Sequence, residues 1–240
     1  MPGLDPGIHV SAPDKLSGRH RVDGRVKPGH DGWGELAAIS MKILGLTGSI
    51  GMGKSTAAAM LRRLGVPVHD ADATVHALLG PKGAAVAAIA VAFPGVVEND
   101  MVNRAALGAR VFGHPAELKR LEAILHPLVR RAETEFLKRQ RRRRAPLVVL
   151  DIPLLFETKG ERRCDMVAVV TAPAFLQAAR VLKRPGMTPA RLAAIRAQQM
   201  ADGEKRRRAD LILPTGTGKL PVLRRLKRAV TLLRGPQHHR

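Results

Sequence analysis

From Met41 onward the chain alternates short apolar runs with longer segments whose apolar residues recur every third or fourth position. That rhythm of buried strands and amphipathic helices predicts an α/β fold, a central parallel sheet covered by helices on both faces. The runs at 42–47, 147–151 and 165–171 read as buried strands, Val66 to His69 as a short strand ending at Asp70, and 210–213 as a last strand. Helices are predicted over 53–64, 71–79, 82–92 and 103–112, and then over a long stretch from 115 to 142. In that stretch Leu118, Leu121, Leu125 and Leu128 mark a buried stripe, and Pro127 predicts a kink or a restart. Further helices are expected over 173–182, 188–200 and 218–233. The helices between the second strand and Leu147 form an insertion too long for a simple crossover, which predicts a separate cosubstrate lobe over 71–145.

Residues 1–40 break the rhythm. Pro2, Pro6, Pro13 and Pro28 stand among scattered Gly and His with no periodic apolar pattern, so a disordered extension is expected. Met41, directly before the first strand, is a candidate true start. The remainder, 41–240, has the size of one α/β domain, and 45% hydrophobic residues suffice for a substantial core. Cys164 is the single cysteine, which excludes an intramolecular disulfide and points to a reducing cytoplasm. No apolar run is long enough to span a membrane, and no membrane association is expected.

The 41 Lys and Arg against 20 Asp and Glu give a formal charge of +21, which raises a polyanionic partner. A chain with no Tyr, five Phe and one Trp has few platforms for stacking bases, so no nucleic-acid partner is expected. Arg141 to Arg144 read as the wet end of a helix. A site that gathers several phosphates is a better use of basic charge. Nothing in the sequence speaks to oligomeric state.

The first strand runs into Gly48-Ser49-Ile50-Gly51-Met52-Gly53-Lys54-Ser55-Thr56, a G-x-x-x-x-G-K-S phosphate loop followed by a helix. Its glycines let successive N–H groups of Gly48, Gly51, Met52, Gly53, Lys54, Ser55 and Thr56 face an anion. Lys54 reaches the terminal phosphates, and the Ser55 hydroxyl suits Mg²⁺. Asp70 and Asp72 lie at the carboxyl end of the second strand, where open α/β sheets bind ligands. Either could orient an acceptor hydroxyl or cap a helix, with Asp72 the better placed to cap. Asp151 ends an apolar strand, the pattern of an acid that supports Mg²⁺ beside such a loop.

His126 and Arg130 share a helix face, one turn beyond Glu122; facing a cleft they could bind a phosphate or ribose, but periodicity alone favours a surface ion pair. Arg104 opens a helix, where a cation is unfavourable unless an anion binds. The basic stretch from Arg180 to Arg191, with a Pro185-Gly186 turn, is where a phosphotransferase lid would sit, over 180–192. Gly216 to Lys219 lacks the first glycine of a phosphate loop and reads as a turn and helix start.

These segments together resemble the dephospho-CoA kinase family. The resemblance rests on the phosphate loop, Asp70-Ala71-Asp72 with His76, and Asn103-Arg104. It extends through Leu121-Glu122-Ala123-Ile124-Leu125-His126-Pro127, Asp151-Ile152-Pro153-Leu154-Leu155-Phe156-Glu157 and Glu204-Lys205-Arg206-Arg207-Arg208-Ala209-Asp210. It implies a P-loop kinase fold with a helical CoA-binding lobe and a lid. The implied reaction is ATP-dependent phosphorylation of the ribose 3′-hydroxyl of dephospho-CoA, giving CoA and ADP, with Mg²⁺.

By the same resemblance, Lys54, Asp70 and Arg184 would be catalytic, with Asp70 as the group that orients or deprotonates the hydroxyl. Arg180 would bind the nucleotide. Asp72, His76, Arg104 and His126 would hold the cosubstrate, Leu155, Phe156 and Glu157 would wall the transferred group, and Ser55 and Asp151 would serve the metal. Relatives usually carry Asp and Asn where Pro214 and Thr215 stand here. The rival readings are a nucleoside or nucleotide kinase on the same scaffold and a basic nucleic-acid-binding protein. A regulatory GTPase is disfavoured because no N-K-x-D motif follows the loop.

Overall fold

The apolar runs assemble into one parallel sheet because each is buried on both faces, which leaves crossover helices as the connections. The structure, a computed structural model, describes residues 41–235, and the extension expected over 1–40 lies outside the described residues. In chain order the elements are β1 (Lys42–Thr47), α1 (Lys54–Arg63), β2 (Val68–Asp70), α2 (Ala71–Leu79), α3 (Val86–Ala92), β3 (Val97–Glu98), β4 (Met101–Val102), α4 (Arg104–Val111), α5 (Pro115–Arg142) and β5 (Leu147–Asp151). They continue with β6 (Met166–Thr171), α6 (Ala174–Leu182), α7 (Pro189–Ala197), α8 (Asp202–Arg207), β7 (Leu211–Pro214) and α9 (Lys219–Arg234).

The main sheet has the order β2-β5-β1-β6-β7, all parallel. From β1 the chain first builds toward β2 and later crosses to β6 and β7 on the other side. The carboxyl end of β1 is therefore the switch point at which such sheets open a crevice. Register brings Leu46 opposite Asp151 and Asp151 opposite Asp70, so the ends of β1, β5 and β2 lie level.

Alternation along β5 shows how the sheet is packed. Val149 joins Leu44, Leu61, Leu226 and Val230 in the core beneath α1 and α9. Val148 and Leu150 face the other way, onto Phe136 of α5. The helices α2 to α5 close a core of their own, with Leu79, Ile89, Leu107, Leu121 and Leu125 fully buried.

Three sequence expectations change. Helix α5 continues through Pro127 without a restart, since Leu121 and Leu125 on one side and Phe136 on the other pin both halves. The β3–β4 hairpin was not anticipated: two-residue strands carry no alternation, although Asn99 and Asp100 supply the left-handed turn at φ 50° and 56°. The short helix α8 was missed because it is almost wholly polar, and its Lys205 is nevertheless completely buried.

Cys164 sits behind β1, where a Cβ on Gly45 would come within 2.8 Å of its Sγ. Burial pushes this thiol up to about 12 from an ordinary value of 9.0. The raised value favours the protonated form in the folded protein, so this group's contribution to stability falls as pH rises from 9.0 toward 12. Near pH 8, alkylation by iodoacetamide is expected to be about a thousandfold slower in the native protein than in urea. Comparable native and unfolded rates would show an accessible thiolate.

Candidate active site

Residues 48–53 turn from β1 into α1 in a loop that needs glycine at 48 and 51. A Cβ on Gly48 would lie 2.7 Å from Val170 O, and Gly51 holds φ 74° with its Cα facing Val181. Helix α1 begins at Lys54, so its N-terminal amides and dipole point into the space above the loop. That space is a cavity of about 610 Å³. Its floor is formed by Gly48, Gly51, Gly53, Lys54, Ser55 and Thr56. Asp72 reaches it from α2, Arg180 and Arg184 from the α6 side, and Gln199, Thr215 and Lys219 from the end of the chain.

Lys54 Nζ lies 2.9 Å from Asp151 Oδ1 and 3.6 Å from Asp72 Oδ2. The Asp151 side chain is 2% exposed and that of Lys54 14%. Burial alone would lower the Lys54 pKa, but Asp151, Asp72 and Asp70 outweigh it and hold the ammonium above its ordinary value. Burial raises the Asp151 carboxyl, an effect that Lys54 offsets only in part. Asp151 and Asp72 thus flank one ammonium at its two contact distances, and the Asp70 charge adds to theirs.

The capping position expected of Asp72 is taken by Asp70. Asp70 is the N-cap of α2: its Oδ1 accepts from Ala73 N at 3.0 Å, and its Oδ2 lies 3.4 Å from Arg62. Strand β2 passes into α2 with no intervening loop, so the last strand residue becomes the cap and Asp72 turns toward Lys54. Asp72 borders the cavity and Asp70 does not.

Other expected residues fall into groups. Met52 places its side chain in the sheet core and spends its N–H on Ser49 O, so it belongs to the loop's frame rather than its lining. Arg180 is fastened to Thr215, with Nη1 3.0 Å from Oγ1 and Nη2 3.0 Å from the carbonyl. Thr215 Oγ1 in turn donates to Met52 O at 2.6 Å. Thr215 therefore ties the end of β7 to the phosphate loop. Arg184 is exposed at the rim.

Arg104 and His76 meet at 2.9 Å, Arg104 Nη1 donating to His76 Nδ1, and burial followed by the Arg104 charge lowers the His76 pKa. His126 projects from α5, the helix against which α2 and α4 pack. None of these three borders the 610 Å³ cavity.

Leu155 and Phe156, expected to wall the transferred group, do not border this cavity. They are 0% and 3% exposed and pack with Val167 and Val169, because the turn after β5 folds its apolar residues under the sheet. Glu157 is also occupied, accepting from Met200 N at 2.9 Å and lying 2.8 Å from Lys205 Nζ. From this turn it is Pro153 that borders the cavity.

The sequence reading missed Gln199, Thr215 and Lys219 as lining residues. Each stands on a chain end whose approach to the loop is a tertiary matter, and Gly218-Lys219 was the only local signal. Among the described residues no group of three His, Cys, Asp or Glu forms a metal cage. The donor set, Ser55 with nearby carboxylates in surplus, fits Mg²⁺ held chiefly by nucleotide phosphates and water.

The family model for dephospho-CoA kinase matches residues 42–219. A dephospho-CoA kinase from Paramagnetospirillum magneticum is 73% identical over 195 residues, 81% of this chain and 92% of the relative. One from Rhodospirillum rubrum is 63% identical over 193 residues, 80% of this chain and 92% of the relative. A crystal structure of a Thermus thermophilus protein superposes with a TM-score of 0.70 at 41% identity, covering 79% of this chain and 96% of that one.

Proposed function

The chain belongs to the dephospho-CoA kinase family, and we propose how its residues carry out that family's reaction. It is an ATP-dependent kinase that phosphorylates the ribose 3′-hydroxyl of dephospho-CoA, giving CoA and ADP, the last step of CoA synthesis. Such phosphoryl transfer needs little covalent help from the protein and much positioning and charge stabilisation.

The observation that carries the assignment of roles is the Lys54–Asp151 pair on the cavity floor with Asp72 facing it. The amides of the loop and the α1 dipole cradle the β- and γ-phosphates of ATP. Lys54, its charge secured by three carboxylates, follows the γ-phosphoryl group as it moves. Asp72 orients the acceptor hydroxyl and accepts its proton, the role the sequence reading gave to Asp70. Arg184 closes from the rim over the transferring charge, and Arg180 holds the adjacent loop edge to Thr215. Ser55, supported by Asp151, would hold Mg²⁺, which when bound would supply charge neutralisation at the phosphates.

The helical lobe of α2 to α5 takes the rest of dephospho-CoA. Arg104 supports this reading: its Nε is buried with no hydrogen-bond partner, and its Nη1 donates to His76. A guanidinium with unused, desolvated capacity suits an anionic cosubstrate group, and His126 on the neighbouring helix completes that side. Among the described residues no helix is long and apolar enough to cross a membrane. We place the enzyme in the cytoplasm, where its lone cysteine stays reduced.

An ADP-release assay with ATP, Mg²⁺ and a panel of acceptors tests the assignment. Turnover is expected with dephospho-CoA and not with free nucleosides. A nucleoside preferred over dephospho-CoA would move the chain to the rival kinase class.

A further inference from the structure

Ile50, in the phosphate loop, has both of its main-chain polar groups taken by side chains that flank one segment of chain. Its carbonyl accepts from Gln177 Nε2 at 2.8 Å, and its N–H donates to Gln199 Oε1 at 3.1 Å. The loop dictates which end of each amide faces it, since a carbonyl requires an N–H and an N–H requires an oxygen. Gln177 lies on α6 and is 2% exposed, and Gln199 follows α7. Between them runs the segment that brings Arg180 and Arg184 to the cavity.

Both roots of that segment are fixed. On the α6 side a Cβ on Gly51 would lie 2.5 Å from Val181 and 3.1 Å from Gln177 O, so loop and helix touch. On the α7 side Met200 N–H is held by Glu157, whose carboxylate also meets the fully buried Lys205. Thr171 Oγ1, at the end of β6, donates to Asp202 at 2.8 Å. Gln199 joins this second anchored root to the loop.

We infer that Gln177 and Gln199 are positioning residues that make the phosphate loop and the arginine-bearing segment one mechanical unit. Through Ile50 they set the loop's wrap around the phosphates and the approach of Arg184 together. The inference rests on the phosphoryl-transfer reading above, and it concerns neither ligand contact nor overall stability.

Steady-state kinetics of Gln177→Met, Gln199→Met and the double variant test it. Each single change is expected to lower kcat about tenfold with the ATP KM within about threefold, and the double variant to lose no more than the worse single, because both act through one loop residue, Ile50. Losses that multiply would show two independent structural roles and overturn the inference. An unchanged kcat would overturn it too, as would a raised ATP KM at constant kcat in Gln199→Met, which would make Gln199 an ordinary phosphate ligand.

Where Gln177→Met does not fold, Gln199→Glu decides. It keeps an oxygen toward Ile50 N–H and is expected to recover kcat relative to Gln199→Met, and no recovery overturns the coupling. Wild-type inactivity toward dephospho-CoA strikes the functional reading alone. The coupling is then read from trypsin cleavage after Lys183 and Arg191, since the bond after Arg184 is blocked by Pro185. ATP is expected to protect these bonds in the wild type and not in Gln199→Met, and equal protection in both overturns it.

Discussion

Replacing Lys54 by methionine is expected to lower kcat by on the order of a thousandfold, the scale of losing a preorganised charge at a transition state. The structure adds a second consequence. Asp151, 2% exposed, would lose the ammonium 2.9 Å away and remain buried beside Asp70 and Asp72. Breaking a buried pair on one side costs about 3–5 kcal/mol, so the variant should also melt earlier unless Asp151 takes up a proton. The double variant Lys54→Met with Asp151→Asn removes that stranded charge and is expected to regain most of the lost stability with none of the activity. Thermal melts and ADP release on the three proteins separate the two effects. Recovery of turnover in the double variant would show that Lys54 serves the fold rather than the phosphoryl group.

The second large effect divides the two aspartates. Asp72→Asn is expected to reduce kcat by about 10²- to 10⁴-fold, the range for a general base, with ATP affinity retained. Asp70→Asn is expected to stay within a few-fold of wild type, because Asn caps a helix about as well as Asp and Ala73 N–H keeps its acceptor. Asp70→Ala, in contrast, should cost about 1 kcal/mol of stability through the lost cap. A large kinetic loss in Asp70→Asn with near-normal turnover in Asp72→Asn would return the base role to Asp70. The pair is informative because both residues lie close to Lys54 and differ in where their carboxylates are spent.

The phosphate loop, apart from the place of Met52, was legible in the sequence because its chemistry is local. A strand, two permissive glycines, a lysine and a hydroxyl at fixed spacing suffice, and the helix that follows supplies the dipole. The element pattern was legible for the same reason, as burial on both faces of β1, β5 and β6 writes itself as unbroken apolar runs. Segments whose character depends on partners were not legible. Helix α8 looks like a charged coil until Glu157 and Thr171 receive Lys205 and Asp202. Leu155 and Phe156 look like a wall beside the site, yet the turn after β5 folds them under the sheet. Gln177 and Gln199 carry no signal at all, since an amide far along the chain from the loop announces nothing of its destination.

By itself the sequence determined that this protein grips a nucleotide's phosphates, that a parallel sheet carries the grip, and that the acceptor belongs with CoA precursors. The first two rest on contiguous residues and their spacing, the third on the resemblance to the dephospho-CoA kinase family. The tertiary structure decided which carboxylate faces Lys54, which basic side chains reach the cavity and what holds the loop in shape. Those depend on strand order and register: β5 inserts between β1 and β2 and levels Asp151 with Asp70. The direct passage from β2 into α2 then sets the helix phase, fixing Asp70 as the cap and turning Asp72 into the site.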